Sequence, residues 1–436
     1  MKHFLISMSL LLLFAACHKD EEDNNKTLPK GKRTVIVYMS GDNSLSQYDF
    51  PKSDIDEMKI AAKSVSSSDR FVIYVDRYST TEKPFIARLT NDKNNPVDTL
   101  YKYPTDPYSS DPAKFKDVLS LIMKMCPAEE YGLVLWGHGT GWTIETDMTQ
   151  VSNAPRRGYG IDNGNTGYED KGPWMNIPDM RKVFEEMGIK WKFIFADCCN
   201  MMCAEVAYEL RNCTEYLIGS PAEIPGEGAP YHTASAYFFA QTDDFYDGIV
   251  QAYAEAYAKK DKRPPLSAIR TSEMESLASA TREILPSVAT HLKKGDTAAT
   301  RHIIYYCSPK GQDDNYNKYM YDMNDMILGA LAAEPELYTR WHEAFNKAVV
   351  SHVVSPKWET MRNNTVNFAD FPFNESKNID ETMGCVSMFF PLDKYNNSSR
   401  CLHQYNTDIR QLQWYDAVGW ASVATDEAYE RWWGKI

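Results

Sequence analysis

Five short apolar runs constrain this chain more than any other feature: residues 34–39 (TVIVYM), 70–75 (RFVIYV), 131–136 (YGLVLW), 192–196 (KFIFA) and 215–220 (EYLIGS). Runs this short and this continuously apolar read as strands buried on both faces. Between them the periodicity becomes helical, at 54–63, at 111–126 with Phe115, Val118, Leu119, Ile122 and Met123 on one face, at 177–187, and from the fourth run to Leu210. A further short strand is predicted at 84–89. Strands alternating with helices dictate the α/β class, a mostly parallel central sheet with helices on both faces. Chemistry in such sheets gathers at the carboxyl ends of the strands.

The third run leads directly into Gly137-His138-Gly139, and the fourth ends at Asp197-Cys198-Cys199. The stretch 140–174 is glycine-rich with little periodicity, and it reads as a long exposed loop of the kind that usually carries function. Beyond Tyr231 the pattern turns helical, at 245–258, 273–285 and 319–333, followed by a strand at 385–390. Trp414, Trp420, Trp432 and Trp433 read as packing residues. A chain of 436 residues is long for one core, so two regions are expected after the N-terminus. These are a catalytic domain over 33–231 and an α-rich region over 232–436 that completes it.

The N-terminus has the layout of an export signal over residues 1–16: a basic start at Lys2, an apolar run from Ile6 to Phe14, and Ala15-Ala16 before Cys17. That run is too short to span a bilayer as a helix. Phe14-Ala15-Ala16-Cys17 resembles the bacterial lipobox, which implies lipidation of Cys17. Residues 17–32 begin with an acidic stretch and read as a solvated tether. An acidic stretch after the cysteine resembles the signal that places lipoproteins on the surface of Gram-negative anaerobes, so the outer membrane or cell surface is the expected location, with a periplasm-facing anchor as the alternative. The net charge of -13 excludes the phosphate backbone of nucleic acid as a natural partner. Membrane contact is expected only through the anchor.

A thiol is a strong nucleophile only as thiolate, which requires a neighbouring base or positive field. His138 and Cys199 fall at strand ends in neighbouring βα units, which makes them a candidate pair. A helix opening behind Cys199 is expected to add its N-terminal dipole. On these residues alone a second reading stands beside the first, with His138 a polar strand-end residue and Cys199 a small buried hydrophobe. The remaining cysteines are scattered and do not suggest a disulfide framework. Cys198, Cys199 and Cys203 lack the spacing of a metal site.

Trp136-Gly137-His138-Gly139-Thr140-Gly141-Trp142, and Asp197-Cys198-Cys199-Asn200-Met201 followed by Glu205-Val206-Ala207-Tyr208-Glu209-Leu210, resemble the clostripain family of cysteine peptidases. The likeness extends to Tyr38-Met39-Ser40-Gly41-Asp42-Asn43, to Leu266-Ser267-Ala268-Ile269 and to Phe389-Phe390-Pro391, and so covers nearly the whole mature chain. The resemblance implies a caspase-like α/β/α sandwich and an endopeptidase acting on proteins or peptides. It makes Cys199 the nucleophile and His138 its proton donor, with the N–H groups of Gly139 and Cys199 as the oxyanion site. It implies cleavage after Arg or Lys, with Asp197 pairing the cationic side chain. The family's next aspartate is replaced by Pro230, which leaves Glu223 or Glu227 to supply a second charge. Cys198 stands where the family has Ala, and the period of two points it away from Cys199. Self-processing between the His and Cys segments is implied, with Arg156, Arg157 and Lys171 as candidate cut sites. The resemblance requires no cofactor and allows calcium; no metal ligands and no oligomeric state are assigned. The rival reading is a surface binding lipoprotein on an inactive peptidase fold.

Overall fold

The computed structural model describes residues 27–144, 158–260, 263–292, 303–306, 320–360, 364–367, 378–391 and 405–423. The five apolar runs are all strands: β1 (Gly31–Gly41), β2 (Arg70–Arg77), β5 (Ala128–Gly137), β6 (Phe193–Asp197) and β7 (Tyr216–Gly219). With β3 (Phe85–Leu89), β4 (Val97–Lys102), β8 (Leu266–Arg270) and β10 (Val349–Val353) they form a nine-stranded sheet. Its order is β10-β8-β7-β6-β5-β1-β2-β3-β4. The central five, β7-β6-β5-β1-β2, are parallel, while β3, β4, β8 and β10 add antiparallel pairs at the two edges. Two of the nine strands, β8 and β10, come from beyond residue 232, so the α-rich region contributes directly to the sheet.

Side-chain alternation along the strands divides the core in two. Ile36, Tyr38, Val72, Tyr74, Leu133 and Leu135 enter the cluster that includes α2 (Pro112–Met125) and α3 (Ile177–Met187). Val35, Val37, Met39, Phe71, Ile73 and Trp136 face the opposite layer, built by α1 (Phe50–Ala61), α5 (Tyr231–Phe238) and α6 (Phe245–Tyr257). Each fully buried aliphatic or aromatic side chain here contributes roughly 1.5–3 kcal/mol. Further along, α4 (Ala204–Glu209) follows β6 and α7 (Met274–Leu292) follows β8. Among the described residues no helix is long and apolar enough to cross a membrane.

Several expectations change. The predicted strand at 385–390 shrinks to Ser387–Met388, which pairs with β9 (Tyr321–Asp322) away from the main sheet. Strands β4, β8 and β10 of the main sheet are additional, each short and of mixed composition, and the helix predicted over 319–333 opens with β9 and runs only over Met323–Ala330. The last concerns the glycine-rich stretch, which is exposed at Thr166, Tyr168, Glu169 and Lys171 but anchored at its ends, where Trp142, Tyr159, Ile161 and Trp174 are inaccessible or nearly so. The Tyr159 hydroxyl donates to the carbonyls of Tyr38 at 2.9 Å and Trp136 at 3.0 Å, tying the segment down on β1 and β5. The aromatics Trp142, Tyr159 and Trp174 were the overlooked sign that parts of this stretch pack.

Candidate active site

Strands β5 and β6 pair in parallel with Trp136 opposite Asp197, so His138 and Cys199 each lie two residues past that shared rung. Gly139 shows how closely the two strand ends approach. A Cβ there would lie 2.6 Å from the Cys199 carbonyl oxygen and 3.2 Å from the Cys198 sulfur, so only glycine allows the contact. The main chain around His138 is fixed from the other side as well, with Gly160 N–H donating to the His138 carbonyl and Thr140 N–H to that of Gly158, both at 2.9 Å.

The imidazole of His138 is half-buried. Its Nε2 lies 3.0 Å from Ser44 Oγ and 3.5 Å from Asp170 Oδ1. The same Asp170 oxygen accepts the Ser44 backbone N–H at 2.9 Å, which links the two partners. Neither residue was singled out by sequence, because Ser44 belongs to the turn after β1 and Asp170 to the glycine-rich stretch.

Cys198 and Cys199 lie in the turn just past β6 and differ in burial, as expected from the sequence. Cys198 is fully buried, and burial pushes its thiol well above the ordinary range. Cys199 is half-buried, with Sγ receiving the Ile224 N–H at 3.4 Å and lying 4.0 Å from the Ile224 carbonyl oxygen. Asn200 follows in a left-handed conformation (φ 61°), its N–H bonded to Ala222 O at 3.0 Å; Met202 N–H bonds to Ser220 O at 3.0 Å. Because α4 begins only at Ala204, the expected helix dipole does not act directly on Cys199: the thiol sits on a turn.

Asp197 closes β6 on the same face as Trp136. Its Oδ2 accepts the Tyr231 hydroxyl at 2.7 Å and the Ala229 N–H at 3.1 Å, whereas Oδ1 is buried without a partner. Burial raises its pKa to about 6 despite the Tyr231 hydrogen bond. Beside it stands Asp54 of α1, whose Oδ2 accepts the Trp136 indole N–H at 2.6 Å. Burial, then the charge of Asp197, push Asp54 to about 9. Sequence reading missed it, although its position four residues before the buried Met58, on the apolar face of α1, was a usable sign. Of the expected second charges, Glu227 lies exposed near Lys260 Nζ at 3.7 Å, and Glu223 neighbours the residue whose N–H meets Cys199. Pro230 caps the start of α5. His232 pairs with Glu57 at 2.9 Å.

Lys171 ion-pairs with Glu169, and its N–H is held by Asn163 Oδ1 at 2.9 Å. Cys17, Arg156 and Arg157 lie outside the described residues. Among the described residues Cys126, Cys198, Cys203, Cys213 and Cys385 form no disulfide, and no group of three His, Cys, Asp or Glu is placed to hold a metal ion.

The comparisons agree with this architecture. A secreted C11 cysteine protease from Bacteroides thetaiotaomicron, solved with an irreversible peptide inhibitor, superposes with a TM-score of 0.69 at 28% identity, covering 90% of this chain and 100% of that one. A second secreted C11 cysteine protease from the same species gives 0.69 at 20% identity, over 90% and 100%. An inactive zymogen C11 protease from Parabacteroides distasonis gives 0.67 at 23% identity, over 90% and 99%. No curated protein matches. The helix-flanked, mostly parallel sheet is thus that of a caspase-like cysteine peptidase. The chain belongs to the clostripain family, whose model matches residues 37–432.

Proposed function

We propose that the protein is an exported, lipid-anchored cysteine endopeptidase that cleaves proteins after Arg or Lys with Cys199 and His138. The adjacency of the two at the ends of paired strands β5 and β6 carries the reading. The Cys199 thiolate attacks the scissile carbonyl, and the N–H groups of Gly139 and Cys199 receive the negative charge that develops on oxygen, a contribution of roughly 3 kcal/mol. Collapse of the intermediate breaks the C–N bond, His138 protonates the departing amine, and water hydrolyses the resulting thioester.

Preference for a cationic side chain is supported by the buried, unpartnered Oδ1 of Asp197. Asp54, which accepts the Trp136 indole N–H, lies beside it but keeps its proton up to about pH 9, so the second charge falls to Glu223 or Glu227. Export is supported by the 1–16 signal and by the secreted relatives, and anchoring by Cys17. Self-processing between the His and Cys segments would use Arg156 or Arg157 before Lys171, whose backbone and side chain are both engaged. Fluorogenic peptides ending in Lys, Arg, Leu or Glu test the proposal. Cleavage confined to Lys and Arg and absent in Cys199→Ala is expected; an acidic or apolar preference would overturn the specificity, and full activity in Cys199→Ala the nucleophile.

A further inference from the structure

We propose that Asp170 and Ser44 form a positioning pair that grips the Nε2 edge of His138, so that the working unit is Asp170, Ser44, His138 and Cys199 rather than a two-residue dyad. The inference rests on the peptidase reading above. Its basis is one compact set of contacts: Ser44 Oγ at 3.0 Å and Asp170 Oδ1 at 3.5 Å from the same ring nitrogen, with the Ser44 N–H donating to that carboxylate oxygen at 2.9 Å.

The pair is built into the scaffold. Asn163 Oδ1 accepts the N–H groups of Lys171 at 2.9 Å and Gly172 at 3.0 Å, fixing the backbone immediately after Asp170. Asn163 N–H donates to Asp42 O at 2.9 Å, and the Asn43 amide donates to Ile161 O at 2.8 Å and Ser40 O at 3.0 Å. The carboxylate therefore reaches His138 from a loop stitched to the end of β1, and Ser44 reaches it from the turn that follows β1.

Two consequences follow for the chemistry. A carboxylate this close, only partly exposed, favours a positively charged imidazole, the form that must accompany a thiolate and later release a proton to the leaving amine. Engagement of Nε2 also sets the tautomer: Nε2 carries the hydrogen directed at the pair, and Nδ1 exchanges the proton with sulfur and amine. Asparagine at 170 keeps the shape and a hydrogen-bonding group but removes the charge.

The test compares wild type with Asp170→Asn, Asp170→Glu and Ser44→Ala, each checked for folding by near-UV circular dichroism, on a fluorogenic Lys or Arg peptide. Asp170→Asn is expected to lower kcat by about 10- to 100-fold with KM within about twofold, as for loss of one charge-assisted contact. Asp170→Glu should recover part of the loss, and Ser44→Ala should lose about 3- to 10-fold. Nitrogen-15 NMR of His138 in a Cys199→Ala background needs no turnover: the Nε2-protonated neutral form is expected, giving way to a mixture when Asp170→Asn is added. Wild-type kinetics and unchanged NMR in Asp170→Asn would overturn the pair, as would a raised KM with intact kcat, which marks a substrate contact instead. The NMR signature in Cys199→Ala together with a wild-type protein that cleaves nothing would sink the peptidase reading and leave the pair standing.

Discussion

Cys198 faces the core, where desolvation keeps it a thiol, while one position later Cys199 is only half-buried and receives the Ile224 N–H. Cys199→Ala is therefore expected to abolish peptide cleavage, and Cys198→Ala to retain it with a loss of about 1 kcal/mol from the small void, read from thermal melts beside initial rates. Asp197 offers a second residue-level test. With its pKa near 6 it is ionised at neutral pH and loses its charge as the pH falls, so kcat/KM for Lys and Arg substrates should drop below about pH 6. Tyr231→Phe removes a hydrogen bond that holds that pKa down, and should move the acid limb of the profile to higher pH.

Strand ends decide what these residues can do together. Gly139→Ala places a methyl 2.6 Å from the Cys199 carbonyl oxygen, a backbone atom that cannot swing aside, so the ends of β5 and β6 must part. A loss of about 1–3 kcal/mol in stability is expected, with activity falling further because the oxyanion site moves; denaturant melts paired with kinetics check both. The same elements show what a sequence reveals. The five central strands were legible because burial on both faces demands an uninterrupted apolar run, and the motif around His138 because glycine accompanies close backbone approach. Strand β4 was not, since an edge strand has an exposed face and a mixed composition. Asp54, Ser44 and Asp170 escaped because each is a common polar residue whose meaning comes from its neighbours in space. The overlooked aromatics of the glycine-rich stretch are of the same kind, polar spacing hiding a buried anchor in Tyr159.

The molecule as a whole stores several carboxyl groups out of water. Burial raises Asp42 to about 7, Asp322 to about 7, Glu205 to about 8 and Asp54 to about 9. Each holds a proton in the folded state that the unfolded chain has released, so folding binds protons through this window and stability declines as the pH rises. Thermal melts should give a higher Tm at pH 6 than at pH 9; the reverse order would mean that these groups fold ionised. The nine-stranded sheet that carries the site draws β8 and β10 from the α-rich region, so strand ends near β6 and the C-terminal half unfold together if folding is two-state. The most direct test of the central claim is to treat the mature protein with a lysyl or arginyl thiol-reactive inhibitor and locate the adduct by peptide mass spectrometry. A single adduct on Cys199, absent from Cys199→Ala and accompanied by loss of cleavage, is predicted. An adduct on Cys198 or elsewhere, or cleavage that survives full modification of Cys199, would contradict it.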